Sequence, residues 1–367
     1  MGSFKIDFPY VISVFIFINL YSCYAQDLKA CKFDQIYQFG DSQSDPGNSI
    51  IEIPQAYHAR PPYGITINKA TGRSNDGKLM IDYIAESAGL PWIEPYENPN
   101  STLVHGANFA VAGVTALRVE DLIKWKIPLP YTNSSLLVQL EWFDKLMAKT
   151  CQTNCKDKLK SALFVVGTIG ANDYDFAAYE GRGVGEIKDV MVPGVMKNIK
   201  QVIEEIIRYG AVRIVAPGVF QLGCTPSLLT LFETNKTALY DSLGCLKDYN
   251  DLFIYHNTLL QEMLKELQQK YPDVTILYGD IYSALQWILE DLTKLGFKSF
   301  KQGCCGTGGK YNFTPGLKHM CGAPGVPVCP NPREYVFWDG GHFSDQANKY
   351  LAEWLLKDLV PKLKCSP

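Results

Sequence analysis

The chain has 367 residues, 47% of them apolar, and a formal net charge of −3. Such a composition buries a substantial core and excludes a disordered chain. Without a basic stretch it excludes nucleic acid as a partner, and its charge gives no sign of a polyionic substrate.

In chain order, Lys5 precedes an apolar run, Val11–Leu20 flanked by Tyr10 and Tyr21, and Cys23-Tyr24-Ala25 follows. This pattern predicts a signal peptide over residues 1–25, cut near Ala25. The run falls short of the ~20 residues a membrane span needs. No later segment is apolar enough to span, so stable membrane insertion is not expected. The rest, residues 26–367, reads as one domain, with no linker, repeat or charge block.

Gln35–Phe39 predicts a strand that stops at Gly40-Asp41-Ser42. The turn cluster Ser44–Asn48 and an irregular stretch from Ile53 to Asn75 follow. Helices are expected over Lys78–Ala88, ended by Gly89-Leu90-Pro91, and near Leu136–Met147. The next segments alternate. Leu163–Gly167, Val212–Ala216 and Val274–Tyr278 are strands; Val195–Tyr209, Leu246–Lys270 and Ile281–Leu295 are helices. A Gly- and Cys-rich loop fills Lys301–Pro332. Tyr335–Trp338 is the last expected strand and Ser344–Leu359 the last helix. This alternation predicts a three-layer α/β/α sandwich with a mostly parallel central sheet.

Eleven cysteines are present. Without Cys23 ten remain, an even number in an exported chain, which points to disulfides. Cys151–Cys155 and Cys224–Cys245 are expected local pairs; the other pairings stay open. Zinc at Cys304, Cys305, His319 and Cys321 is the rival reading, but the spacing matches no standard zinc pattern. No metal or cofactor is therefore expected. Sequons at Asn100, Asn133, Asn235 and Asn312 agree with secretion.

Four scattered segments carry chemistry. Phe39-Gly40-Asp41-Ser42 offers a nucleophile at a strand exit. A serine hydroxyl needs a base, and the base offered is His342 of Trp338-Asp339-Gly340-Gly341-His342. Asp339, three residues earlier, can fold back onto the imidazole Nδ1, fix the tautomer and leave Nε2 for the serine. His58, His105, His256 and His319 have no comparable setting. Oxyanion donors are available from the Ser42 backbone N–H, from Gly113 after Asn108-Phe109-Ala110-Val111-Ala112, and from the Asn172 amide in Gly170-Ala171-Asn172-Asp173. Taken singly, Ser42 also reads as a helix cap, Gly113 as a packed glycine, Asn172 as a turn residue and Asp339 with His342 as an ordinary loop. The full set points to serine acyl hydrolysis. G-x-S-x-G is absent, which disfavours the usual α/β-hydrolase arrangement.

With FGDSQSDPGN at 39–48, PPYG at 61–64, TGRSNDGKLMIDYIA at 71–85, NFAVAG, GANDY at 170–174, APG at 216–218 with LGC at 222–224, CCGTGGKYNF at 304–313 and WDGGH, the chain resembles the plant GDSL esterase/lipase family of the SGNH hydrolases. Within it the chain is most similar to the branch containing acetylajmalan esterase and sinapine esterase. The resemblance implies Ser42, Asp339 and His342 as the catalytic set and Ser42, Gly113 and Asn172 as the oxyanion donors. It also implies a secreted, monomeric esterase, in the apoplast or the vacuole. The expected substrate is a small-molecule ester, acetyl or phenolic-acyl, of a specialised metabolite. Acyl transfer to an alcohol through the same acyl-enzyme is the alternative, and a non-catalytic binding protein on the same scaffold a more remote one. Phe343-Ser344-Asp345 departs from the family's pattern after the histidine. Ser344 is expected to cap the last helix, and Phe343 to reshape the entrance.

Overall fold

The computed structural model describes residues 27–127, 132–151 and 155–365. The expected signal peptide lies outside them. At the centre is a five-stranded sheet in the order β2-β1-β3-β4-β5, every pairing parallel. The strands are β1 (Gln35–Phe39), β2 (Gly106–Asn108), β3 (Ala162–Val166), β4 (Arg213–Pro217) and β5 (Thr275–Gly279). β3 is buried at all five positions, as a strand covered on both faces must be, which is why ALFVV is apolar without alternation.

Two groups of helices cover the sheet. Helix Val192–Tyr209 packs with Leu136–Thr150 and Lys247–Lys270, whereas Asp345–Leu359 packs with Met80–Ser87 and Ile281–Glu290. Helix 192–209 shows the cause. Val192, Val195, Ile199, Val202, Ile203 and Ile206 form its buried stripe, and such a stripe is stable only against another layer. Gly210, at φ 123°, closes it.

The strand order reverses between β1 and β3. In open α/β sheets ligands collect beyond the carboxyl ends of strands at such a switch point. The register pairs Phe39 with Val166 and Gln38 with Asn108, so β2, β1 and β3 end nearly level. Their exits lead to Gly113, Ser42 and Asn172.

The segment Tyr335–Trp338 is extended but is not a sheet strand, contrary to expectation. Its backbone is taken by two other partners. Val336 N–H donates to Ser299 O, and Cys304 and Cys305 N–H donate to Phe337 O and Trp338 O. The chain then turns back, so that Trp338 N–H donates to His342 O and Ser344 N–H to Val336 O. An apolar run alone cannot tell a sheet strand from such a hairpin on a disulfide loop.

All ten cysteines among the described residues form disulfides: Cys31–Cys365, Cys151–Cys155, Cys224–Cys245, Cys304–Cys329 and Cys305–Cys321. Both expected local pairs are present. Cys304, Cys305 and Cys321 have no thiolate left for zinc. Among the described residues no helix is long and apolar enough to cross a membrane.

Candidate active site

The turn after β1 is held by groups far away in sequence. The buried Gln139 side chain clamps Gly40 on both sides: its Oε1 accepts from Gly40 N–H at 2.9 Å and its Nε2 donates to Gly40 O at 2.8 Å. Asp41 Oδ1 accepts from Gln43 N–H and from the Thr168 hydroxyl, each at 3.0 Å. Burial first, only partly offset by these donors and by His342, pushes the Asp41 carboxyl up to about 6. Ser42 follows at 9% exposure. Its side chain caps no helix; the first helix after it, Ser49–Glu52, begins at Asn48.

A second loop runs from β2 through Gly113. Asp45 Oδ2 accepts from Ala112 N–H at 2.8 Å, and Asn48 Nδ2 donates to Ala110 O at 2.8 Å. On the far side Asp173 accepts from Ala116 and Leu117 N–H at 2.8 and 2.9 Å, and Asn172 Nδ2 donates to Val114 O at 2.8 Å. Gly113 sits between these anchors at φ 80°, in the left-handed region that favours glycine. The bond to Val114 uses one hydrogen of the Asn172 amide, and a second remains.

The third loop carries Asp339 and His342. Gly341 and His342 N–H donate to Asp339 Oδ1 at 3.0 and 2.9 Å. His342 Nδ1 lies 2.9 Å from both carboxylate oxygens. A carboxylate only accepts, so Nδ1 carries the proton and the neutral ring keeps Nε2 free as an acceptor. Burial alone would lower the His342 value. The Asp339 charge and hydrogen bond, aided by Asp41, outweigh it and hold the imidazole above its ordinary value. Burial likewise opposes the Asp339 charge, but His342 and the two backbone donors hold that carboxyl below its ordinary value.

Two bonds join the chain's ends across this site. Gln43 Nε2 donates to Gly341 O at 3.1 Å, across 298 positions. The Tyr63 hydroxyl donates to Asp339 Oδ2 at 3.1 Å, across 276 positions.

A cleft of about 230 Å³ opens here, and Ser42, Asn172, Asp339 and His342 all line it. Gly113 is half-buried and is not among the residues that line the cleft, but it lies one residue from the Val114 carbonyl that holds Asn172. The disulfide loop forms one wall through Cys305, Gly306, Phe313, His319, Met320 and Cys321. Among the described residues no cluster of His, Cys, Asp and Glu could hold a metal ion. Ser344 caps helix 345–359 by accepting from Ala347 N–H, as expected. Phe343 does not reshape the entrance. It is 2% exposed and packs against Phe220 and Phe337 at ring distances of 4.4 and 5.3 Å; an aromatic ring with an apolar pocket beneath it buries.

The sequence reading missed Tyr63, Gln139 and Asp175. Tyr63 lies in the PPYG segment, whose density of turn formers drew attention to backbone rather than chemistry. Nothing in the sequence marks Gln139. Of the sequons, Asn100, Asn133 and Asn235 are exposed, whereas Asn312 is half-buried and its Nδ2 donates to Gly303 O at 2.8 Å.

The model of the family GDSL-like Lipase/Acylhydrolase matches residues 36–355. Acetylajmalan esterase 2 of Rauvolfia serpentina is 42% identical over 373 residues, with 100% of each chain covered. Acetylajmalan esterase 1 of the same plant is 41% identical, covering 92% of this chain and 89% of its own. Sinapine esterase of Brassica napus is 39% identical, covering 89% and 85%. The chain belongs to the GDSL-like lipase/acylhydrolase family and is a carboxylic-ester hydrolase.

Proposed function

We propose that the chain is a secreted esterase that cleaves its substrate through an acyl-serine at Ser42. The observation that carries this reading is the cleft shared by Ser42, Asn172 and the hydrogen-bonded pair Asp339–His342. His342 Nε2 takes the Ser42 proton as Oγ attacks the ester carbonyl, and Asp339 stabilises the imidazolium. The oxyanion is received by the Ser42 and Gly113 N–H groups and the second hydrogen of the Asn172 amide. Collapse breaks the bond to the alkoxy oxygen, which leaves as alcohol with the proton from His342. Water then adds to the acyl-serine by the reverse roles, releasing the acid and restoring Ser42. The names of the relatives support an acetyl or phenolic-acyl ester of a specialised metabolite as substrate.

Five disulfides, together with the signal-peptide pattern read over residues 1–25, support secretion. Exposure favours Asn100, Asn133 and Asn235 as glycan carriers over Asn312, whose amide nitrogen is engaged. We read the mature protein as a monomer.

The test is Ser42→Ala with p-nitrophenyl acetate. Turnover is expected to fall by at least about 10⁴-fold with an unchanged circular dichroism spectrum, and a fluorophosphonate probe to label only the native chain. Retained turnover, or equal labelling of the variant, removes Ser42 from the role.

A further inference from the structure

Helix Ala171–Tyr179 turns more than one side chain toward the cleft. Asn172, Asp175 and Tyr179 stand at i, i+3 and i+7, along one stripe of the helix, and all three line the cleft with Ser42 and His342. Asp175 differs from the other buried carboxylate of this helix. Asp173 has both oxygens satisfied by backbone N–H groups. Asp175 is 9% exposed, and its Oδ1 is buried with no hydrogen-bond partner among the described residues. It caps nothing, being in mid-helix.

The surroundings fit a cation. Asp41, Asp175 and Asp339 line the cleft, and among the described residues no lysine or arginine does. Asp339 is paired with His342, so Asp41 and Asp175, once ionised, are the carboxylates that draw cationic ligands into the cleft. Tyr63, Tyr179, Phe220 and Phe313 supply aromatic walls, and aromatic faces attract quaternary and protonated amines. Along the helix Asp175 lies ~4.5 Å from Asn172, three residues at 1.5 Å each. That places the carboxylate a few bonds from an ester carbonyl held at Asn172.

We propose that Asp175 anchors an ammonium subsite, and that the preferred ester carries a cationic amine a few bonds from its scissile carbonyl. This rests on the esterase reading above. A protonated or quaternary amine gives the carboxylate the opposite charge that the fold withholds.

The electrostatics agree. Burial first, then the Asp41 charge, push the Asp175 carboxyl up to about 7. A bound cation favours the ionised form, so preference for cationic esters rises with pH through this value. The titratable groups around it are Asp41, Asp339 and His342 in the same cleft, Tyr63, Tyr179 and His319 along its walls, and Tyr249, whose hydroxyl feels the Asp175 charge. Titration of Ser42 and His342 chemistry is common to charged and neutral esters and cancels in their ratio.

The experiment uses the mature chain and two isosteres, acetylcholine and the uncharged 3,3-dimethylbutyl acetate. The expected kcat/KM ratio favours the cation by roughly ten- to hundredfold, from charge attraction and aromatic contact, and rises between about pH 6 and about pH 8. Asp175→Asn collapses the ratio to near one, mainly through KM, and Asp175→Glu restores part of it. Independently of any variant, choline inhibits p-nitrophenyl acetate turnover by the native enzyme more strongly than 3,3-dimethylbutanol does. Equal inhibition by the two alcohols, or a ratio that survives Asp175→Asn, overturns the subsite. p-Nitrophenyl acetate separates the two ideas. Ser42-dependent turnover of it without cationic preference sinks the subsite alone, whereas Ser42-independent turnover sinks the mechanism beneath.

Discussion

Replacing Tyr63 with phenylalanine removes a single oxygen and tests whether Asp339 is held from both sides. The ring stays packed edge-on against Trp338 at 5.9 Å, so volume and aromatic contact are preserved. What is lost is the 3.1 Å bond to Asp339 Oδ2. Apart from Tyr63, that oxygen is met only by His342 Nδ1, at 2.9 Å, whereas Oδ1 also has two backbone donors. A hydrogen bond to a charged group contributes about 1.5–3 kcal/mol. If all of it acts on the orientation of Asp339 and His342, kcat falls by about ten- to 150-fold. Water entering the cleft recovers part of this, so the lower end, about tenfold, is expected. KM should change little, because Tyr63 acts through Asp339. The pH profile gives a second readout. With one donor fewer, the Asp339 charge pulls harder on the imidazole. Despite its burial, the His342 imidazole is held above its ordinary value by Asp339, so the acid limb of kcat/KM is expected above that value in the native chain and further up in the variant. Steady-state kinetics with p-nitrophenyl acetate from weakly acidic to mildly alkaline pH measures both effects. A variant with native kcat and an unmoved acid limb would show that the backbone donors alone position Asp339.

Gly113→Ala places a Cβ at φ 80°, at a cost of roughly 1–2 kcal/mol, in a loop pinned on both sides and unable to relax. If Gly113 N–H is a donor, kcat should drop by about a hundredfold or more, and a variant with native kcat would exclude it. Replacing Cys305 and Cys321 together by serine frees the cleft wall; kcat/KM should fall more than the melting temperature suggests, and unchanged kinetics would mean the wall holds without the bridge. Stability should rise as pH falls from about 7 to about 5. The Asp41, Asp76, Asp173 and Asp175 carboxyls are pushed up to about 6, 7, 7 and 7, in each case first by burial. In that window the folded chain binds protons that unfolded carboxyls do not, so ΔG of unfolding decreases with rising pH. His342, also raised, acts in the same direction. The buried His256, lowered to about 3, and His58, also lowered by burial, oppose it, leaving a net of about two protons at about 1.4 kcal/mol per pH unit each. Melting temperatures that fall on acidification to about pH 5 would contradict this balance.

The parallel sheet was legible because buried strands such as ALFVV are apolar runs bounded by turn formers, and the helices around them carry clear apolar stripes. β2 was not. Gly106-Ala107-Asn108 has no β-branched residue, and its place is set by the backbone of β1. A side chain at Gly106 would come within 2.0 Å of Ile36 O, a close approach that only tertiary structure reveals. Ser42, His342 and Asp339 could be picked out as candidates because each sits beside glycines in a specific motif, and the structure brings all three to one cleft. Tyr63, Gln139 and Asp175 could not. Each is an ordinary residue type in an ordinary segment, and acquires meaning only from a partner far away in sequence, as for Tyr63 and Gln139, or from the absence of one, as for Asp175.

The same contrast separates what the fold fixes from what it leaves to a ligand. Gln139, Asp45, Asn48, Asp173 and Asn172 hold the loops at the ends of β2, β1 and β3 through satisfied hydrogen bonds. A network this complete leaves little freedom around the reacting atoms, which is what electrostatic stabilisation of a transition state requires. Asp175 lies on the same helix as Asn172, one turn further along the cleft, yet its Oδ1 is unpaired. In the mechanism proposed above, the sheet and its loops serve cleavage of the ester bond. In the subsite proposed above, the choice among esters falls to Asp175, whose Oδ1 is left unpaired among the described residues that line the cleft.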